Sequence, residues 1–189
     1  MSPSSPDNDR RPETRPPRRR ARREIRFLVV FVLLLGAGFS ALAFRPVNDH
    51  VVVPFTAGVA RVSAVALRLI GQDIRIDGTE IYGPRFAVAI ENGCNGVETM
   101  TIFFAAVLAF PALWRSRLLG LAIGLAGIQL LNLVRVVALF LTGSYLPDFF
   151  NTSHTVVWQS VVVAAALVLW LFWAHRFAPA TPATERTAT

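Results

Sequence analysis

Apolar and polar positions alternate along this chain in long blocks. Residues 1–23 hold almost no large apolar side chain and are dominated by Pro, Ser and Arg, a composition that cannot bury a core and predicts a disordered tail. Ile25 to Phe44 is then apolar over about 20 residues, enough for a helix to cross a bilayer. Ala41-Leu42-Ala43 has the small-residue pattern of a signal-peptidase site, but the apolar stretch is longer than an ordinary signal core, so a retained helix is expected. Val51 to Ile70 is apolar except for Arg61 and Arg68, seven residues apart and so on nearly one helical face. That pattern predicts an amphipathic helix lying on the membrane.

From Asp73 to Ile90 the period changes to two. Ile74/Ile76 and Phe86/Val88/Ile90 alternate, with Asp77-Gly78 and Gly83-Pro84 as turn signals, which predicts a short β-hairpin outside the membrane. Three further spans are expected at Val97–Leu113, Leu118–Thr142 and Thr155–Trp173. The first is near the lower limit for crossing. Trp114-Arg115-Ser116-Arg117 is a tight basic turn, and Ser144 to Ser153 reads as a loop. The expectation is an all-α polytopic membrane protein with about four transmembrane helices, an interfacial amphipathic helix and a short β-hairpin on the outer side. The domain division is 1–24 as an Arg-rich cytoplasmic tail, 25–176 as the membrane-embedded domain and 177–189 as a disordered C-terminal tail.

Composition agrees. The chain is 53% hydrophobic and only 16% charged, too apolar for a soluble domain of this size. All 19 basic residues are arginine, nine of them within the first 26 residues. An arginine cluster ahead of a spanning helix is an orientation signal before it is a nucleic-acid site. With the arginines inside, the N-tail, the Arg115/Arg117 turn and His175-Arg176 are cytoplasmic. The segment Arg45–Gly96, with five arginines against five acids, then faces outward with the loop 143–154.

Against this background three ionisable residues stand out. Cys94 is the one cysteine, set in Glu91-Asn92-Gly93-Cys94-Asn95-Gly96-Val97-Glu98 ahead of an apolar helix. A helix N-terminus favours thiolate, and Asn92 or Asn95 can cap that helix. Arg135 lies inside an apolar run, where a charge costs roughly 2.5–3.5 kcal/mol to insert, and it continues a polar stripe through Gln129 and Asn132. Glu98 could orient its guanidinium. His154 opens the last apolar run and titrates near neutral pH. Because one helix descends and the next returns, all three fall on one membrane face. Together they fit acyl transfer, with a thiolate nucleophile, an arginine oxyanion partner and a histidine acid/base. His50 is an alternative base on the same side; His175 falls on the other. No metal-ligand spacing and no phosphate-binding glycine loop is present, so neither a metal nor a cofactor is expected. A small transporter or lipid-binding protein using the Gln129/Asn132/Arg135 stripe is the alternative reading, and a structural subunit with Arg135 in an assembly ion pair is a third.

The ordered set Asn92-Gly93-Cys94-Asn95-Gly96-Val97-Glu98, Leu131-Asn132-Leu133-Val134-Arg135 and His154 ahead of a final helix resembles the exosortase/archaeosortase family. It is most similar to the short exosortase H branch, whose substrates carry an IPTL-type C-terminal sorting signal. The resemblance covers roughly residues 75–173. It implies a membrane-embedded cysteine protease or transpeptidase in a bacterial inner membrane, with its active site facing the periplasm. Cys94 would be the nucleophile, Arg135 the oxyanion stabiliser and His154 the acid/base, supported by Asn92, Asn95, Glu98 and Asn132. The implied partners are exported proteins ending in a motif, a transmembrane helix and a basic cluster, together with the lipid bilayer and an acceptor amine or water. Two features depart from the family pattern: Asn95 follows the cysteine where many members have a small residue, and the extra spans of longer members are missing.

Overall fold

The computed structural model describes residues 17–178, with side chains from residue 21 onward. Residues 1–16 and 179–189, expected as disordered tails, lie outside the described residues. Helix α1 (Pro17–Ala43) already begins within the Arg-rich segment, so part of the expected tail is helical. A bend at Phe44 leads into α2 (Arg45–Val47), a wide π-type stretch (Asn48–Val52) and α3 (Val53–Leu69). Three short strands follow, β1 (Arg75–Asp77), β2 (Glu80–Tyr82) and β3 (Ala87–Ala89). Then come α4 (Val97–Ala109), α5 (Trp114–Tyr145), α6 (Pro147–Thr152), a second π-type stretch (Ser153–Trp158) and α7 (Gln159–Phe177).

Four helical segments among the described residues are long and apolar enough to cross a membrane: Ala21–Ala43, Arg45–Leu69, Trp114–Tyr145 and Pro147–Phe177. The number matches the sequence expectation, but the membership differs. Val97–Leu113 was expected to span, yet α4 stops at Ala109 and is only about 20 Å long at 1.5 Å per residue. Pro111 ends it, because the residue before a proline is pushed out of helical geometry, and Phe110 is extended with ψ 136°. The segment read as an interfacial helix is instead apolar over 25 residues. The expected loop 144–153 is also mostly helical, because α5 runs on to Tyr145 and Pro147 sits in the first turn of α6.

The end of the bundle that holds the basic turn is built by α1, α4, α5 and α7. Phe27 of α1 meets Phe110 and Trp170, and Met100, Phe103, Val107, Ile128 and Trp173 form one buried cluster. Gly120 of α5 allows this closeness: a Cβ there would lie 2.6 Å from the Trp173 ring, the use of small residues usual between membrane helices. At this end Trp173 Nε1 donates to Ser116 O at 2.8 Å and Arg117 Nη2 to Phe110 O at 3.0 Å. The basic turn and the C-terminal end of α7 therefore share one end of the bundle.

The sheet is a three-stranded antiparallel meander of order β1-β2-β3, one strand more than the expected hairpin. Glu80-Ile81-Tyr82 supplies the extra strand, and Ile76, Ile81 and Val88 are in register across the three. Ile81 is fully buried and packs with Ala60, Ala64 and Leu67 of α3 and with Val136 and Phe140 of α5. This second core covers the C-terminal half of α5. Cys94 packs against its edge, at the junction between the two cores.

Candidate active site

The turn that carries Cys94 is shaped by glycine. Gly93 and Gly96 have φ of +88° and +80°, values a side chain makes costly. A Cβ on Gly96 would also stand 2.9 Å from Gln129 Nε2. Between these glycines, fully buried Asn95 joins three helices. Its Nδ2 donates to Thr56 Oγ1 at 2.9 Å, its Oδ1 accepts from Val97 N–H at 3.0 Å, and its carbonyl accepts from Gln129 Nε2 at 3.2 Å. Asn95 Oδ1 thus takes the first backbone N–H of α4 from one residue ahead of the N-cap, Gly96. Asn92 is exposed and ties the turn to Asn48 at 3.1 Å.

On this turn Cys94 Sγ lies 2.9 Å from His154 Nε2. His154 belongs to the π-type stretch Ser153–Trp158, an irregularity that often accompanies functional sites. Phe150, four residues earlier and so on the same helical face, stacks parallel to its ring with centroids 5.9 Å apart. Arg135 is 3% exposed; its Nη1 donates to Gly93 O at 3.2 Å and its Nη2 points at Cys94 Sγ from 3.7 Å. The three residues picked from the sequence are in mutual contact through the sulfur. Arg135 lies 21 residues after Trp114 along α5, about 32 Å of helix, so the site lies about one bilayer core away from the basic turn.

Burial pushes the Cys94 thiol above the ordinary thiol range; the Arg135 guanidinium opposes this, and Glu91 and Glu98 add to the rise. The expected thiolate is therefore not the resting form. The helix N-cap is Gly96, two residues past the sulfur, and loss of hydration outweighs the cation. Glu98 Oε2 is buried without a partner and does not orient the Arg135 guanidinium through a hydrogen bond. Both amide atoms of Asn132 and Nε of Arg135 are likewise buried and unpartnered.

A cavity of about 370 Å³ opens beside the sulfur, lined among others by Phe86, Leu139, Arg135, Phe150 and His154. Of the Gln129/Asn132/Arg135 stripe only Arg135 lines it; Gln129 is engaged by Asn95 and Asn132 is 1% exposed. Gln129 and Asn132 thus pack against the turn ahead of α4. His50 is exposed and its Nδ1 lies 2.9 Å from Pro46 O, and His175 is exposed near the end of α7. Among the described residues no group of three or more His, Cys, Asp or Glu side chains could hold a metal ion. Sequence reasoning missed Phe150, Thr56 and the Gly93 carbonyl. The i, i+4 spacing of Phe150 and His154 was the available signal for the first.

Fold and site thus define a polytopic membrane protein with a cysteine, a histidine and an arginine converging beside a cavity. Residues 19–173 match the transmembrane exosortase family, and the chain belongs to that family. No curated protein and no solved structure matches it. Exosortases are membrane proteins that act on exported proteins carrying C-terminal sorting signals.

Proposed function

We propose that this exosortase is a cysteine transpeptidase or peptidase that cleaves C-terminal sorting signals through an acyl-enzyme on Cys94. The observation that carries the reading is the 2.9 Å approach of His154 Nε2 to Cys94 Sγ, with Arg135 Nη2 on the same sulfur. Because the resting thiol is protonated, a base must take its proton, and His154 Nε2 is within hydrogen-bond reach of it. The thiolate attacks the scissile carbonyl carbon, whose oxygen becomes an oxyanion. The Cys94 backbone N–H is already given to Glu91 O at 2.9 Å, so it is not a free oxyanion donor. Arg135 Nη2 is the charged donor beside the sulfur and takes that role. Collapse of the intermediate breaks the C–N bond, and His154 returns the proton to the leaving amine. A thioester remains on Cys94. An acceptor amine or water then attacks it, losing its proton to His154, which passes it to the departing sulfur.

The substrate class follows from the family resemblance: a motif of IPTL type, a spanning helix and a basic cluster. With the basic turn of this chain on the cytoplasmic side of a bacterial inner membrane, Cys94 meets the motif at the periplasmic face. The test is processing of a reporter with such a tail by purified protein in proteoliposomes. Cys94→Ala abolishes processing at unchanged protein abundance, His154→Ala lowers it by about 10²- to 10⁴-fold, and His50→Ala leaves it intact. Full processing by Cys94→Ala would refute the proposal.

A further inference from the structure

The free edge of β3 runs along the cavity. Antiparallel pairs alternate between hydrogen-bonded and open, and the bonds Gly83 N–H to Phe86 O (2.8 Å) and Ile90 N–H to Thr79 O (3.0 Å) fix the phase. With Ile81 opposite Val88, residues Phe86, Val88 and Ile90 bond toward β2, and the N–H and C=O groups of Ala87 and Ala89 point away from the sheet. Among the described residues no group bonds them. Neither position carries the charge or proline that usually blunts an open edge; both are exposed alanines. The cavity wall includes Phe86, Ala87, Val88, Ala89 and Ile90 in unbroken succession. A strand face would contribute every second residue, whereas an edge contributes all of them. The same wall continues through Glu91 and Asn92 to Cys94 and His154.

Resting on the reading of Cys94 as the nucleophile, we infer that the segment of the exported protein at the scissile bond binds as a fourth strand on the free edge of β3. Main-chain donors and acceptors repeating every second residue are matched by an extended peptide backbone, the mode known as strand addition. The cavity volume of about 370 Å³ lies within the range of ligand pockets, roughly 300–1,000 Å³. Ala87 and Ala89 hold the register through their backbones, and the apolar residues Phe86 and Leu139 meet the side chains on one face of the added strand. The pairing fixes which carbonyl reaches Cys94.

The experiment uses the full chain in proteoliposomes with the IPTL-type reporter. Ala89→Pro removes the outward N–H without touching the β2 ladder, a substitution that edge strands tolerate, while Ala89→Val keeps it. The expected result is a fall of about tenfold or more in kcat/KM for Ala89→Pro, carried mainly by KM. Ala89→Val, which keeps the N–H, falls clearly less than Ala89→Pro, and iodoacetamide alkylates Cys94 at the wild-type rate in both. Processing by Ala89→Pro within about twofold of wild type overturns the inference. So does a change in particle size without a change in KM, which would assign the edge to a second copy of the chain. A substrate-side scan covers the case in which Ala89→Pro fails to fold. N-methylation along a synthetic signal peptide should impair processing at every second residue, and uniform sensitivity contradicts strand pairing. Dependence of processing on Cys94, measured in parallel, separates failure of this inference from failure of the nucleophile. A reporter left intact by wild type overturns both.

Discussion

His154 Nε2 stands 2.9 Å from the sulfur of Cys94, sixty residues away in the chain. Neither side chain is in an ordinary helix. One rides a turn bounded by two left-handed glycines, the other a π-type stretch at the head of the last helix. Each irregularity costs conformational energy, and together they bring an acid/base onto a thiol.

The first consequence concerns pH. Burial raises the Cys94 thiol above its ordinary value, with Arg135 opposing. Thiolate therefore accumulates only as pH rises past the usual thiol range near 8.5. In the free protein the rate of alkylation by iodoacetamide should still be climbing at that pH, with its midpoint higher. Arg135→Gln removes the opposing cation and should move the midpoint higher still. A midpoint below the ordinary value, or no shift in Arg135→Gln, would contradict the electrostatics of the site.

Arg135→Lys separates geometry from charge. The guanidinium reaches Gly93 O with one nitrogen and the sulfur with the other, and a lysine ammonium cannot hold both positions as a planar fork does. Processing should fall by about 10²- to 10³-fold in a protein of normal abundance. Near-normal processing would reduce Arg135 to an electrostatic anchor.

Asn95 is the prediction for stability. Its side chain serves Thr56 and the Val97 N–H with no solvent exposure. Asn95→Ala leaves the Val97 donor without this partner, at a cost of about 1–3 kcal/mol. The thermal midpoint in detergent should fall by several degrees, and a thermal-shift assay reads it directly. An unchanged midpoint would mean that the three-helix junction is held by other contacts.

Phe150→Ala should act on His154 alone. Loss of the parallel ring 5.9 Å away frees the imidazole to leave the sulfur. Lower kcat at unchanged KM is expected, with iodoacetamide alkylation at high pH unaffected because free thiolate needs no base. A loss carried wholly by KM would place Phe150 in substrate binding only.

Much of this architecture was legible in the chain because membrane insertion writes itself in composition. Long apolar runs are costly to leave in water, and a charge such as Arg135 is costly to bury among them, so each stands out. The chain order of Cys94, Arg135 and His154 placed the three together, and in the fold they meet at the sulfur. What the sequence did not disclose depends on local competition. Pro111 cuts α4 to 13 residues, so hydrophobicity alone overestimates that span. Ser144–Ser153 looked like a loop because it is polar and holds Pro147, yet a proline in the first turn starts a helix as readily as it ends one. The thiol follows the same logic: the helix-terminal motif is visible in sequence, whereas the burial that raises its pKa is a property of packing.

The central claim is an acyl-enzyme on Cys94, and trapping it is the direct test. The protein is mixed with a reporter labelled upstream of its sorting signal, quenched in acid and analysed by mass spectrometry. The account predicts a thioester joining the reporter, minus its C-terminal helix, to the peptide containing Cys94. Hydroxylamine should release it, and Cys94→Ala should lack it. Cleavage of the reporter by Cys94→Ala, or an adduct on any other residue, would contradict the account.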